Sequence, residues 1–174
     1  MEETGVIEKV TIPTDWVNSL VVVEKPNGKL RICLDPRDLN AAIKRPHYPM
    51  PTLEDASSKL TGACFFSKLD AKSGYWQMKL TEQSSYLTTF NTPFGQYRFH
   101  RLPFGVISAH DDFQRKMDEI FGDIAGVTPL IDDIIISGTT REDHDANLKA
   151  TLQRAAAKKT EAQPRQAYHR SPGS

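Results

Sequence analysis

Cysteine is nearly absent: the 174 residues include two, Cys33 and Cys64. Two thiols set in apolar runs make neither a disulfide framework nor a zinc site. They read as reduced core side chains of an intracellular protein. An excess of charge is missing as well. Lys+Arg and Asp+Glu both number 22, giving a formal net charge of zero, so global charge lends no support to nucleic-acid binding and any such contact must come from local basic patches. No apolar run approaches the ~20 residues of a membrane span, and the acidic start Glu2-Glu3 is no signal peptide. No internal repeat is visible. What the chain does have is 39% hydrophobic residues, enough for a core and too many for wholesale disorder. Its length fits one domain or one compact two-lobed unit.

The stretch Pro129-Leu130-Ile131-Asp132-Asp133-Ile134-Ile135-Ile136-Ser137-Gly138 stands out. Two aspartates sit side by side between runs of Leu and Ile that favour strands. Neighbouring side chains of a regular strand point to opposite faces, so Asp132 and Asp133 serve one site only if the chain turns at them. The expected local structure is therefore strand, Asp-Asp turn, strand. A plain surface hairpin is the competing reading, but hairpin turns favour Asn-Gly or Asp-Gly, and a plain turn gains nothing from two like charges. A divalent cation removes the repulsion, and magnesium takes oxygen ligands from one or two carboxylates plus substrate phosphates. A third acid, Asp70, ends the apolar stretch Phe65-Phe66-Ser67-Lys68-Leu69. Asp70 and Asp132 lie too far apart in the chain for anything but tertiary structure to join them.

Taken in order, Leu20 to Lys25 reads as a strand, Pro26-Asn27-Gly28 as a turn and Lys29 to Asp35 as the returning strand. Lys25, Lys29 and Arg31 would crowd the tip of that hairpin, where lysines also serve simply to keep an edge solvated. Pro46, Pro49 and Pro51 make a linker. Thr52 to Asp55 then opens a short helix with Leu53, Ala56 and Leu60 on one face and Gly62 past its end. Tyr86 to Phe90 and Gln96 to Arg101 are expected to pair around Pro93-Phe94-Gly95. From Ser108 a helix carries Phe113, Met117, Ile120 and Phe121 as one apolar stripe. Asp111 and Asp112 fall in its first turn, where acids satisfy the helix dipole. A last helix, Thr139 to Arg154, would use Leu148 and Leu152 as its apolar contacts. Residues 155–174 lack a core pattern and read as a disordered tail.

Four segments together resemble the reverse transcriptases of gypsy-type LTR retrotransposons, in family order and at family spacing. They are Arg31-Ile32-Cys33-Leu34-Asp35-Pro36-Arg37-Asp38-Leu39-Asn40, Lys68-Leu69-Asp70-Ala71-Lys72-Ser73-Gly74-Tyr75-Trp76-Gln77, Arg101-Leu102-Pro103-Phe104-Gly105 and Ile131-Asp132-Asp133-Ile134. The resemblance runs from about Gly5 to about Gln153. It implies an α+β fold of reverse-transcriptase fingers and palm, an antiparallel sheet packed with helices, with fingers at 1–50 and 85–100 and palm at 51–84 and 101–154. It implies an RNA-directed DNA polymerase in which Asp70, Asp132 and Asp133, with the carbonyl of Ala71, hold two Mg2+ ions, Mn2+ being a substitute. Arg31 would grip the triphosphate of the incoming nucleotide, with Lys25 beside it. Tyr75 would lie beneath the sugar and exclude a 2′-hydroxyl; a core tyrosine beside Trp76 is the competing reading. Phe104 and Gly105 would line the nucleotide pocket, or simply turn the chain before the Ser108 helix. The implied partners are an RNA or DNA template with its primer and deoxynucleoside triphosphates, with no membrane. The implied setting is a polyprotein with protease, RNase H and integrase, in the cytoplasm within a virus-like particle or in the nucleus.

Three departures from the family stand out. Leu130 occupies the place of an aromatic, usually Tyr, two residues before the acidic pair. Ser108-Ala109-His110-Asp111-Asp112-Phe113-Gln114 lacks the proline of the family's Asn-Ala-Pro-Ala-Thr-Phe-Gln and adds two negative charges. The match fades near Gln153, and the expectation is a chain cut before the family's primer-gripping hairpin and thumb. Two further readings therefore stand beside the polymerase: a nucleic-acid-binding relic with dead chemistry, and a plain α+β interaction module with an incidental acidic turn.

Overall fold

In the computed structural model, residues 1–24, 26, 28–71, 74–158 and 162–169 are described, without the side chains of Leu53 and 162–169. In chain order the elements are β1 (Ile7–Lys9), β2 (Ser19–Glu24), β3 (Leu30–Asp35), α1 (Arg37–Ala42), α2 (Leu53–Leu60) and β4 (Phe65–Ala71). A single 3-10 turn (Gly74–Gln77), α3 (Glu82–Leu87), β5 (Phe90–Thr92), β6 (Gly95–Phe99) and α4 (Ala109–Phe121) follow. The chain closes with β7 (Val127–Leu130), β8 (Asp133–Gly138), α5 (Arg141–Ala157) and β9 (Ala162–His169). They fold into two compact units, residues 1–47 with 75–109, and residues 48–74 with 110–174. Segments 75–84 and 101–109, expected with the palm, thus group with the first unit.

The first unit holds a three-stranded antiparallel sheet, β1-β6-β5, and the β2–β3 hairpin. Its core gathers Val6, Leu34, Phe90 and Phe99, with the Phe90 and Phe99 rings 5.1 Å apart. The second hairpin is shorter than expected. Only Phe90 to Thr92 pairs with Gly95 to Tyr97, because Tyr86 and Leu87 belong to α3. The hydroxyl of Thr81 accepts from the Ser84 amide and starts that helix. Thr88 and Thr89, read as strand residues, close it by donating their hydroxyls to the carbonyls of Ser85 and Tyr86.

In the second unit α2 begins with a complete capping box between Thr52 and Asp55. The sheet is antiparallel, in the order β7-β8-β4-β9. Along β4, Ser67, Leu69 and Ala71 are buried while Lys68 and Asp70 are half-buried. This period-two pattern turns one face to the core and leaves the acids and Lys68 on the other. The stripe of α4 is buried as expected, Phe113, Met117, Ile120 and Phe121 all being under 7% exposed. Helix α5 is anchored differently. Leu152 is exposed, and His144, Thr151 and Ala155 are the buried residues. Ser67 Oγ and His144 Nε2 share a hydrogen bond of 2.8 Å, fixing α5 to β4. Gly138 permits the approach, since a Cβ there would run into the backbone nitrogen of His144.

The tail was expected to be disordered. Within it, α5 runs to Ala157 and β9 pairs with β4 from Phe65↔His169 to Ala71↔Ala162, while 159–161 and 170–174 lie outside the described residues. Cys33 and Cys64 are free and half-buried rather than core residues. Among the described residues no helix is long and apolar enough to cross a membrane.

Candidate active site: the acidic end of the second sheet

Asp70 and Asp133 are direct partners on the β4–β8 ladder, so their side chains leave the same face of the sheet. The turn is displaced by one residue from the expected Asp-Asp position. Leu130 pairs with Asp133, leaving Ile131 and Asp132 as the two turn residues. Ile131 takes φ 52°, a left-handed conformation that a β-branched side chain resists. Such turns reserve this place for glycine or asparagine. The backbone of Asp132 is tied to the end of β4, its carbonyl accepting from the Ala71 amide at 2.7 Å. Gly74 leaves room beside it: a Cβ at Gly74 would lie 3.1 Å from Asp132 Oδ1 and 2.8 Å from the Phe113 ring.

Two like charges opposed across a ladder destabilise it. The chain answers with Lys68, whose Nζ lies 2.6 Å from Asp133 Oδ2. The other oxygen, Oδ1, is buried with no hydrogen-bond partner. A buried carboxylate oxygen lacking a donor is the feature a cation would complete. Asp70 and Asp133, with the turn acid Asp132 close by, fit a divalent ion in donor chemistry. Among the described residues, however, no three acid, His or Cys side chains are already gathered around one point.

The expected nucleotide contacts fall in the first unit. Arg31 lies over the Phe104 ring, Cζ to centroid 4.7 Å. The Tyr75 and Phe104 rings are 4.9 Å apart, and Tyr75 is 3% exposed. Arg31, Tyr75 and Phe104 are thus brought together, with Tyr75 as a core side chain. Gly105 has a structural reason of its own: φ is 108° and a Cβ would strike the Leu34 carbonyl. Lys25 lies outside the described residues.

Three residues went unnoticed in the sequence. Lys68 is invisible as a partner until the strand faces are known. Asn40 brackets the Phe104–Gly105 turn, donating to Gly105 O at 2.9 Å and accepting from Ile107 N at 2.9 Å. Gln114 is completely buried on the apolar stripe of α4, and a polar residue on such a stripe was a readable signal. Asp112 pairs with Arg115 at 3.0 Å, as a first-turn acid can, whereas Asp111 is 1% exposed.

Residues 23–165 match the family model described as reverse transcriptase (RNA-dependent DNA polymerase). That match reaches past Gln153, where the resemblance had been expected to fade. An uncharacterized protein of Caenorhabditis elegans is 37% identical over 157 residues, covering 88% of this chain and 12% of that protein. The Pol polyprotein of the Drosophila melanogaster transposon gypsy is 36% identical over 129 residues, covering 73% of this chain and 12% of the polyprotein. A foamy viral protease-reverse transcriptase, solved in complex with double-stranded DNA, superposes with TM-score 0.87 at 22% identity, covering 98% of this chain and 30% of that one. The chain belongs to the reverse transcriptase family, as a domain of the kind found in retroelement polyproteins. Its fold is that of reverse-transcriptase fingers and palm, and it spans about an eighth of the two polyprotein-length relatives named.

Proposed function

We propose that this chain is the polymerase core of a retroelement reverse transcriptase, joining a deoxynucleotide to a primer 3′-hydroxyl under an RNA or DNA template, with the first unit as fingers and the second as palm. The observation that carries the reading is Asp70 opposite Asp133 on the ladder, with Asp132 pinned at the adjoining turn. Two magnesium ions, when bound, supply the lowered pKa of the primer hydroxyl and the neutralisation of the triphosphate. Asp70, Asp132 and Asp133 would hold them, with the Ala71 carbonyl as a further ligand and Mn2+ as a substitute. Nucleotidyl transfer needs positioning and charge neutralisation rather than a nucleophilic side chain. Arg31 offers the bidentate fork that suits a phosphate, and Phe104, half-buried and backed by the core ring of Tyr75, an aromatic edge for a sugar. Protease, RNase H and integrase domains are the proposed neighbours in the parent polyprotein.

The test is primer extension on an RNA template with magnesium, with Asp132→Asn as control. Extension by the wild type and none by the variant supports the reading. Equal extension by both overturns the assignment of Asp132. A catalytically silent, nucleic-acid-binding relic is the second reading, favoured by the Lys68–Asp133 ion pair and by Leu130 in the aromatic's place. Primer-template binding without extension by either protein selects it.

A further inference from the structure

The acidic turn is held by a side chain that is itself no acid. Gln114 is 0% exposed on α4, and its amide makes three hydrogen bonds. Oε1 accepts from the Ile131 amide at 2.7 Å. Nε2 donates to the Pro129 carbonyl at 3.2 Å and to Asp118 Oδ1 at 3.0 Å. Asp118 Oδ2 in turn accepts from the Tyr48 hydroxyl at 2.9 Å. The orientation of the Gln114 amide has only one solution, since its carbonyl oxygen must face the one N–H and its NH2 the two oxygens. Asp118 enforces that orientation, and Tyr48 fixes Asp118. The phenol's proton is held more tightly for the same reason, its pKa being raised chiefly by the bond to Asp118.

These bonds grip the turn on both sides of Leu130, and the residue they grip is the strained one. Ile131 at φ 52° has little intrinsic reason to stay there, and strain of this kind persists only where the surroundings over-determine it. Its amide would otherwise be a donor without a partner in the turn. We infer that Gln114 is the positioning residue that sets the Leu130–Asp132 turn and thereby aims the Asp132 carboxylate, with Tyr48 and Asp118 fixing its amide. The inference rests on the reading of Asp132 as a metal-holding acid, and it goes beyond that reading by assigning the turn's conformation to residues that touch neither metal nor substrate.

The test compares the full wild-type chain with Gln114→Met, which keeps the volume and removes all three bonds, and with Tyr48→Phe, which removes only the outermost. Two quantities are read on each folded protein: amide hydrogen exchange at Ile131, and Mn2+ affinity by calorimetry. Gln114→Met should speed Ile131 exchange roughly ten- to a hundred-fold, the effect of one lost buried hydrogen bond, while the β4–β8 amides stay protected. Mn2+ affinity should fall about tenfold with the secondary structure intact, a change that a merely structural residue would not cause. Tyr48→Phe should move both readouts the same way by less. Unchanged Ile131 exchange in Gln114→Met overturns the inference. Should Gln114→Met fail to fold, unchanged exchange in Tyr48→Phe overturns it instead. A wild-type chain that binds no Mn2+ but protects Ile131 strikes the metal reading of Asp132 and leaves the clamp standing.

Discussion

Lys68 and Asp133 form the most consequential pair at the level of single residues. Their side chains are 38% and 30% exposed, so solvent screens the 2.6 Å contact, and its net worth is about 1 kcal/mol or less. Removing the lysine costs more than the pair itself, because Asp133 then faces Asp70 across the ladder without its own counter-ion. Lys68→Met should therefore lower the melting temperature in metal-free buffer and make the protein more responsive to added Mn2+ than the wild type. Thermal unfolding with and without Mn2+ checks this; equal responses would show that Lys68 and the ion do not compete for the same carboxylate. Asp70, Asp132 and Asp133 were legible in the sequence because acids at strand ends in fixed order are a local signal. Their counter-ion was not, because Lys68 becomes a neighbour of Asp133 only once β8 lies in register beside β4.

At the level of elements, the strands around the acids were readable from short β-branched and aromatic apolar runs, and the α4 helix from its i, i+4, i+7, i+8 stripe. Two elements misled. Tyr86 to Thr89 has the β-branched, aromatic composition of a strand, but a Thr81 cap and hydroxyl bonds back to the helix turn it into α3 and its end. In α5 Leu148 lies on the packed face, half-buried between His144 and Thr151, but Leu152 does not, because a buried Ser67–His144 bond and small Thr151 and Ala155 let the helix lie close on the sheet. Ser67→Ala should thus cost about 1–3 kcal/mol in urea unfolding, by leaving the buried Nε2 of His144 without its partner; no loss would mean that water replaces the serine.

Both ends of α5 depend on carboxylates. Thr139 donates to Asp143 Oδ2 at 2.6 Å, and Thr140 Oγ1 accepts from the Asp143 amide as N-cap. Hydrogen bonding to Thr139 first and Thr140 next holds the carboxyl pKa below the ordinary 3.8. At the far end Arg154 does the same for Asp123, through contacts of 2.9 and 3.1 Å. A carboxylate whose folded pKa is depressed stabilises the fold above its unfolded value and loses that contribution as pH falls through the folded one. Helical signal in far-UV circular dichroism should hold from pH 7 to about 5 and decline below about pH 4. Asp143→Asn should flatten the decline, and an unaltered profile would remove the caps from the account.

Over the whole molecule, zero net charge limits what electrostatics can do for nucleic-acid binding. The expected behaviour is weak, salt-sensitive attachment to primer-template, measured by anisotropy across a salt series. Salt-independent binding would contradict it. The tail was the least legible part of the sequence: Ala162 to His169 carries no apolar alternation, and it is a strand because β4 offers it an unpaired edge. A chain ending at Ala157 should keep its helices yet aggregate in light scattering, with β4 left open on one side.

β4 also sets the order of events as the chain is made. It sits between β8 and β9, both of which are synthesised long after it. Hydrophobic Phe65, Phe66 and Leu69 therefore leave the ribosome well before either neighbour exists, and the central strand waits in the open while α3 and α4 form from local contacts. Sheets closed by such distant segments assemble slowly and pass through exposed intermediates. Slow refolding of the second unit from denaturant, with the first unit's signal recovering earlier, is the outcome expected from the position of one strand.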